Sequence, residues 1–295
     1  MTMPKHVSTL LHSFLLMVFI GSFSSVVYYI KTEPSTASAA PGNPAAAATL
    51  IASPVPTALP TLRTSPEAGW SLVQPGLERR VFEVHNGQNQ HVESLYVWRL
   101  DQRYFRLDVA YEERPKTLQA WQAQTRAAIV LNGGYYSIDN ERYFPDGLTI
   151  VNGQASGRSF NRGGMLAIQP SGAELRWLEE RPYNPNERIQ SALQSFPILV
   201  RPGGELGYGP EKESHANARR TVIGQDKNGR ILLMVAPQGY FTLHRLSAYL
   251  TESDLNLDMA VNLDGGGSTG ILVANPEELI SPTRPIPFVI LVYPR

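Results

Sequence analysis

From Gly69 onward the chain runs as short apolar segments broken by turn signals: "RRVFEVH", "SLYVWRL", "YFRLDVAY", "AAIVLNGG", "GLTIVNGQ", "MLAIQPSGAELRWL", "RTVIGQDKNGRILLMVA" and "PFVILVYP". Several alternate apolar and polar residues strictly and end in Asn-Gly, Ser-Gly or Asn-Gly-Arg, the marks of hairpins. The pattern predicts about ten to twelve strands. Two stretches have helical spacing. "PKTLQAWQAQTR" offers Pro115 for a first turn, and "TLHRLSAYLTES" sets Leu243, Leu246 and Leu250 on one face behind Thr242 as N-cap. The expected class is α+β, a strand-rich mixed-sheet domain with a few helices, without the strand–helix alternation of a doubly wound fold.

Before Gly69 the pattern is different. Lys5 and His6 precede an apolar run from Leu10 to Ile30, long enough to cross a bilayer. It reads as an uncleaved signal anchor, or as a cleaved signal peptide with "ASA" at Ala37–Ala39 as its cleavage site. In both cases the remainder lies outside the cytoplasm, because the basic residues precede the span. Residues 31–68 are dominated by Ala, Pro, Ser and Thr, too poor in large apolar groups to form a core, and read as a linker. The expected organisation is therefore signal segment 1–30, linker 31–68 and a single domain 69–295.

Composition narrows the chemistry. Lys+Arg and Asp+Glu both total 26, so no net positive charge invites nucleic acid. The absence of cysteine excludes disulfides, thiolate metal sites and a cysteine nucleophile. No histidine pair has zinc-ligand spacing, and the triple glycine is followed by neither the Lys-Ser/Thr of a P-loop nor a serine-nucleophile elbow.

Two apolar strands end alike. "AAIVLNGGYY" closes on Asn132, Gly133 and Gly134, and "MAVNLDGGGS" closes on Asn262, Asp264 and Gly265, Gly266 and Gly267, followed by Ser268. Alternation puts Asn262 and Asp264 on one face and Val261 and Leu263 on the other. Bare glycine backbone exposes successive N–H groups, which bind anionic oxygens. The competing explanation is a turn that needs positive φ, with Asp264 as its cap. Arg220, in "ARRTVIG", has the fork that grips phosphate or carboxylate, though a surface strand position would also suit it. His215 and His244 are the histidines best placed to reach a shared site. No cofactor is required, and an oxygen-ligated Ca²⁺ or Mg²⁺ on Asp264 or Asp146 stays open.

Five stretches in order, "LNGGYYS", "DGLTIVNGQ", "SFPILVRPGG", "RTVIGQDKNGR" and "AVNLDGGGST", resemble the motifs of the phosphodiester glycosidase family, over a region from about Trp70 to the C-terminus. Thr269 stands where a second serine is common, and "QGYFTL" replaces the usual Gly-small-Thr before the second helix. The resemblance implies hydrolysis of a sugar-1-phosphate diester between the anomeric carbon and the phosphate oxygen, in an envelope or extracellular glycoconjugate. The leaving group is a phosphate monoester with a second pKa of about 6, so it departs with little acid assistance. One carboxylate and a phosphate cradle would then suffice where ordinary glycosidases use two carboxyl groups. On this implication Asp264 activates water or stabilises the oxocarbenium-like centre, with Asp146 as a second acid. Arg220 and the amides of Gly265–Gly267 or Gly133–Gly134 hold phosphate charge. Asn132, Asn262 and Ser268 hydrogen-bond sugar or phosphate, Tyr136 forms an apolar wall, and His215 lies within reach. The partners implied are a glycan or glycosyl-phosphate substrate and, through the first segment, a membrane. Two other readings stay open: a non-catalytic glycopolymer-binding module on a stalk, and a metal-dependent phosphodiesterase that cuts P–O.

Overall fold

Alternation along single strands builds the layers. In the strand Ile129–Asn132, Ile129 and Leu131 enter a central core while Val130 enters a second one on the opposite face. In Gly164–Gln169, Leu166 and Ile168 join the central core and Met165 and Ala167 face away from it. A period of two with both faces apolar is what a strand between two packed layers requires.

The computed structural model describes residues 69–213 and 215–295, all within one unit of the chain, Pro54–Arg295. The apolar run Leu10–Ile30 and the linker 31–68 lie outside the described residues. Among those described, no helix is long and apolar enough to cross a membrane.

Three larger sheets surround the central core. The widest has eight strands in the order 71–74, 77–85, 91–100, 231–236, 220–226, 257–262, 198–201 and 205–206. A five-stranded sheet runs 277–280, 271–274, 129–132, 286–294 and 105–116, and another runs 172–177, 164–169, 191–195, 149–151 and 154–156. Residues from all three, among them Trp98, Ile223, Val261, Leu131, Phe288 and Leu193, meet in one cluster. A hairpin of Tyr136–Asp139 and Arg142–Pro145 stands apart as a two-stranded ribbon. The described pairings are antiparallel throughout, a sharper result than the mixed sheet expected. The strand number also exceeds the expectation, with twenty segments among the described residues, because tight turns divide several apolar runs into three- and four-residue pieces.

Two α-helices cover outer faces. Helix α1, Leu118–Thr125, seats Leu118 and Trp121 on Val130, Val289 and Leu291, with the Trp121 indole donating to Ile286 O at 3.0 Å. Its N-cap is Thr117, whose hydroxyl accepts from Ala120 N. Pro115 is therefore not in a first turn: it still belongs to the strand Phe105–Lys116, where its fixed φ is tolerated at the sheet edge. Helix α2, Leu243–Glu252, is capped by Thr242 as the sequence predicts, with Oγ1 accepting from Arg245 N at 3.2 Å. Leu246, Tyr249 and Leu250 pack on Phe82, Val222 and Met234 of the eight-stranded sheet, and Leu243 lies at the rim of that cluster.

Candidate active site

The two glycine-ended strands do meet. Val261 and Leu263 point into the central core, which turns Asn262 and Asp264 the other way. Asp264 N donates to Gly133 O at 3.1 Å, and the Asn132 amide donates to Asp264 O at 2.8 Å. The Asn132 carbonyl oxygen accepts from Thr221 Oγ1 at 2.8 Å and from Gly270 N at 3.0 Å. Asn132 is 1% exposed, and its amide also reaches Gly133 O at 3.3 Å. Its polar groups are engaged inside the protein, so it braces the site.

Asn262 is also fully buried. Its amide donates to Tyr135 Oη at 2.6 Å and Leu263 O at 2.7 Å, while its Oδ1 is buried without a protein partner. Tyr135 stacks on Phe196 with ring centroids 4.7 Å apart. Burial first, and the negative charge of Asp264 second, push the Tyr135 phenol up to about 12.

Asp264 itself is half-buried. Desolvation raises its carboxyl above the ordinary aspartate range, and nearby Asp146 acts in the same direction. Hydrogen bonds from the Ser268 hydroxyl and Gly265 N, and the charge of Arg284, oppose that rise. Ser268 lies in the 3₁₀ turn Gly266–Ser268, and its Oγ is 3.4 Å from the Tyr136 hydroxyl. Tyr136 opens the ribbon that returns to Asp146, an exposed residue whose carboxylate accepts from Ser137 Oγ. Asp264, Asp146, Tyr136 and Ser268 thus form one cluster at the ribbon's base.

The expected amide cradle is smaller than the glycine count suggests. Gly265 N donates to Asp264 Oδ1, Gly266 N to Arg219 O and Gly133 N to Phe288 O. The N–H groups of Gly134 and Gly267 are left without an acceptor among the described residues. Positive φ explains Gly266 alone of the three consecutive glycines, at 57°. The other two are close-approach positions: a Cβ on Gly265 would stand 2.7 Å from Arg219 O, and one on Gly267 would stand 2.5 Å from Arg284 Nε.

Cations line the other side. Arg220 is 8% exposed and held by Phe241 O at 3.1 Å and Ala216 O at 2.8 Å. Desolvation lowers its pKa, while Tyr135, Glu213 and Tyr208 lie near enough to act on its charge. Arg219, next in the chain, has a buried Nε without a partner and donates through Nη2 to Ser281 O at 2.9 Å. His215 is exposed on the segment leading to these arginines, with no contact from its ring to Asp264 among the described residues. His244 sits in the first turn of α2, its Nδ1 3.0 Å from Tyr208 O, and so helps to hold Tyr208 in place. Among the described residues no group of three or more His, Asp or Glu is placed to hold a metal ion.

A family model described as phosphodiester glycosidase matches residues 125–293, and all five motif stretches fall inside it. The chain belongs to the phosphodiester glycosidase family. The match takes in the ribbon, both glycine-ended strands and the arginine strand. Among solved structures, the catalytic domain of zebrafish N-acetylglucosamine-1-phosphodiester alpha-N-acetylglucosaminidase, auto-inhibited by its pro-peptide, is similar with a TM-score of 0.57 at 18% identity, over 75% of this chain and 85% of that one. A hypothetical protein from Synechocystis is similar at 0.51 and 15% identity, over 75% and 62%. An exported protein from Burkholderia pseudomallei is similar at 0.50 and 13% identity, over 68% and 74%. At these identities the likeness is one of fold. No curated protein matches the chain.

Within this family member, the cluster includes residues that motif reading passes over. Tyr135, Arg219, Arg284, Tyr208 and Phe196 all border it. Arg284 lies in a strand-to-strand loop far from any glycine motif, and only the fold brings it beside Gly267. Tyr135 stands within the first motif, hidden by the more conspicuous glycines before it.

Proposed function

We propose that this family member hydrolyses a sugar-1-phosphate diester by cleaving the bond between the anomeric carbon and the phosphate oxygen. The observation that supports it is the half-buried Asp264 carboxyl, raised by desolvation, hydrogen-bonded by Ser268 of the Tyr136–Ser268 pair and near the charge of Arg284, with Arg220 on the far side of Tyr135, whose hydroxyl feels both Asp264 and Arg220. Water attacks C1, its proton passes to the Asp264 carboxylate, and the C1–O electron pair leaves with the phosphate monoester. Arg220 and Arg284, with the unengaged amides of Gly134 and Gly267, stabilise the phosphate charge as it develops. Asp146 modulates Asp264 through its own charge. Asn262, fully buried, holds Tyr135 from within instead of meeting the sugar, and its unpartnered Oδ1 is an acceptor for an enclosed water.

The same proposal places the domain outside the cytoplasm, acting on an envelope or extracellular glycoconjugate. The basic–apolar start of the chain supports it, as does the fold shared with an exported protein.

The test is turnover of α-glycosyl-1-phosphodiesters by the full chain in ¹⁸O-water, with Asp264→Asn and a chelator run in parallel. Label on the released sugar, with activity reduced about 10²–10⁴-fold in the variant, is the expected result. Label in phosphate together with chelator sensitivity would overturn it in favour of P–O cleavage. Saturable binding without turnover would make the domain a glycopolymer receptor.

A further inference from the structure

A cleft of about 400 Å³ opens beside the Asp264 cluster, and its chemistry differs from that of the cluster. Its walls carry three aromatic rings, Trp177, Phe196 and Tyr208, and three cations, Arg162, Arg201 and Lys212, against the single carboxylate of Glu179. Arg162 lies over Phe196 at 5.6 Å from the ring centroid, and Arg201 lies over Trp177 at 5.3 Å. Neither guanidinium has a carboxylate or carbonyl partner among the described residues. Each guanidinium sits within cation–π reach of a ring and keeps its N–H groups without a protein acceptor among the described residues, so each can present a fork to an anionic group.

The cleft and the cluster share walls. Phe196 lines the cleft and stacks on Tyr135, which is bonded to Asn262. Tyr208 lines the cleft and acts on the charge of both Tyr135 and Arg220. Tyr208 is also fixed in advance: its N donates to Ser247 Oγ at 3.0 Å, its carbonyl meets His244 Nδ1 at 3.0 Å, and its hydroxyl donates to Lys212 O. A molecule with its scissile bond at Asp264 would therefore extend past rigid aromatic faces towards unpaired guanidinium groups. Aromatic faces take sugar rings and guanidinium forks take phosphates.

We infer that the cleft bounded by Trp177, Phe196 and Tyr208 is a second binding subsite, which holds the sugar and its further phosphate on the leaving-group side of an anionic glycan. This rests on the reading of the Asp264 cluster as the hydrolytic site. The substrate class is then a chain of sugars joined through phosphates, in preference to a diester of an uncharged alcohol.

Two sets of esters test it, made from α-glucose-, α-galactose- and α-N-acetylglucosamine-1-phosphate. One set carries methanol as the alcohol, and the other a hexose that bears its own phosphate. The full-length wild type is expected to prefer the charged ester at least tenfold in kcat/KM. In Arg162→Gln/Arg201→Gln that ratio is expected to fall tenfold or more. Equal kcat/KM for the two esters in the wild type, or an unchanged ratio in the double variant, would overturn the subsite while leaving the hydrolytic reading intact. If neither ester is hydrolysed, it is the hydrolytic reading that has failed. Titration of the charged ester then decides the subsite: a dissociation constant at least tenfold weaker in the double variant upholds it, and equal constants overturn it.

Discussion

The side-chain amide of Asn132 donates to the main-chain carbonyl of Asp264 across 2.8 Å, while its oxygen accepts from Gly270 N and Thr221 Oγ1. One buried side chain therefore fixes the start and the end of the Asp264 turn. Asn132→Ala strands several buried polar groups at once, each costing about 1–3 kcal/mol. Unfolding in urea is expected to show a loss of about 2–4 kcal/mol, with activity falling further than the unfolded fraction explains. Unchanged stability would mean that water replaces the amide.

The charge of Asp146 helps to raise the Asp264 carboxyl, and burial contributes more. If Asp264 acts as the base, kcat/KM climbs with pH through an apparent pKa above the ordinary aspartate range. In Asp146→Asn the acid limb is expected to move to lower pH, because one repulsive charge is gone. A limb that stays in place would remove Asp146 from the electrostatics of the site.

The same shift acts on stability, with a definite sign. The folded state raises this carboxyl above its reference value of 3.8, so it binds the proton more tightly than the unfolded chain does. Stability contributed by the protonated form is complete below the unfolded pKa and is lost as pH rises through the folded pKa. Asp264→Asn removes that loss. At pH 7 its Tm should equal or exceed the wild-type value, and the difference should shrink towards pH 3. A variant less stable than wild type at pH 7 would show that the Ser268 and Gly265 hydrogen bonds outweigh desolvation.

Two glycines separate architecture from chemistry. A Cβ on Gly133 would lie 2.5 Å from the ring of Phe288, which is buried in the central core. Gly133→Ala is expected to cost about 1–3 kcal/mol, as overpacking does. A Cβ on Gly267 would instead meet the Arg284 guanidinium, the end of an exposed and movable side chain. Gly267→Ala should keep its Tm and lose up to about 10²-fold in kcat/KM, the lower end of what losing one charge-stabilising donor costs. The reverse pattern would rule out Arg284 as a phosphate ligand.

Much of this molecule was legible because alternation and capping are local. Thr242 reads as an N-cap from its position before a leucine stripe, and Val261 and Leu263 read as core from their period. The strand ends carrying Asn132 and Asp264 announce themselves by their glycines. What those glycines do was less visible, since Gly265 and Gly267 are set by close approaches to Arg219 and Arg284, which local sequence does not reveal. Asn132 and Asn262 look alike in the chain, yet one has its polar groups engaged and the other keeps a buried oxygen without a partner. Pro115 misleads because a strand edge accepts proline as readily as a helix start does.

The bonds around Asn132 join residues 89, 132 and 138 positions apart in sequence. Contacts of that span form only after long stretches of chain have closed on one another. A growing chain thus carries both glycine motifs before the Asn132 contacts join them. The candidate site is assembled only with closure of the fold, so a chain interrupted before its last strands are in place holds the motifs without the site they build.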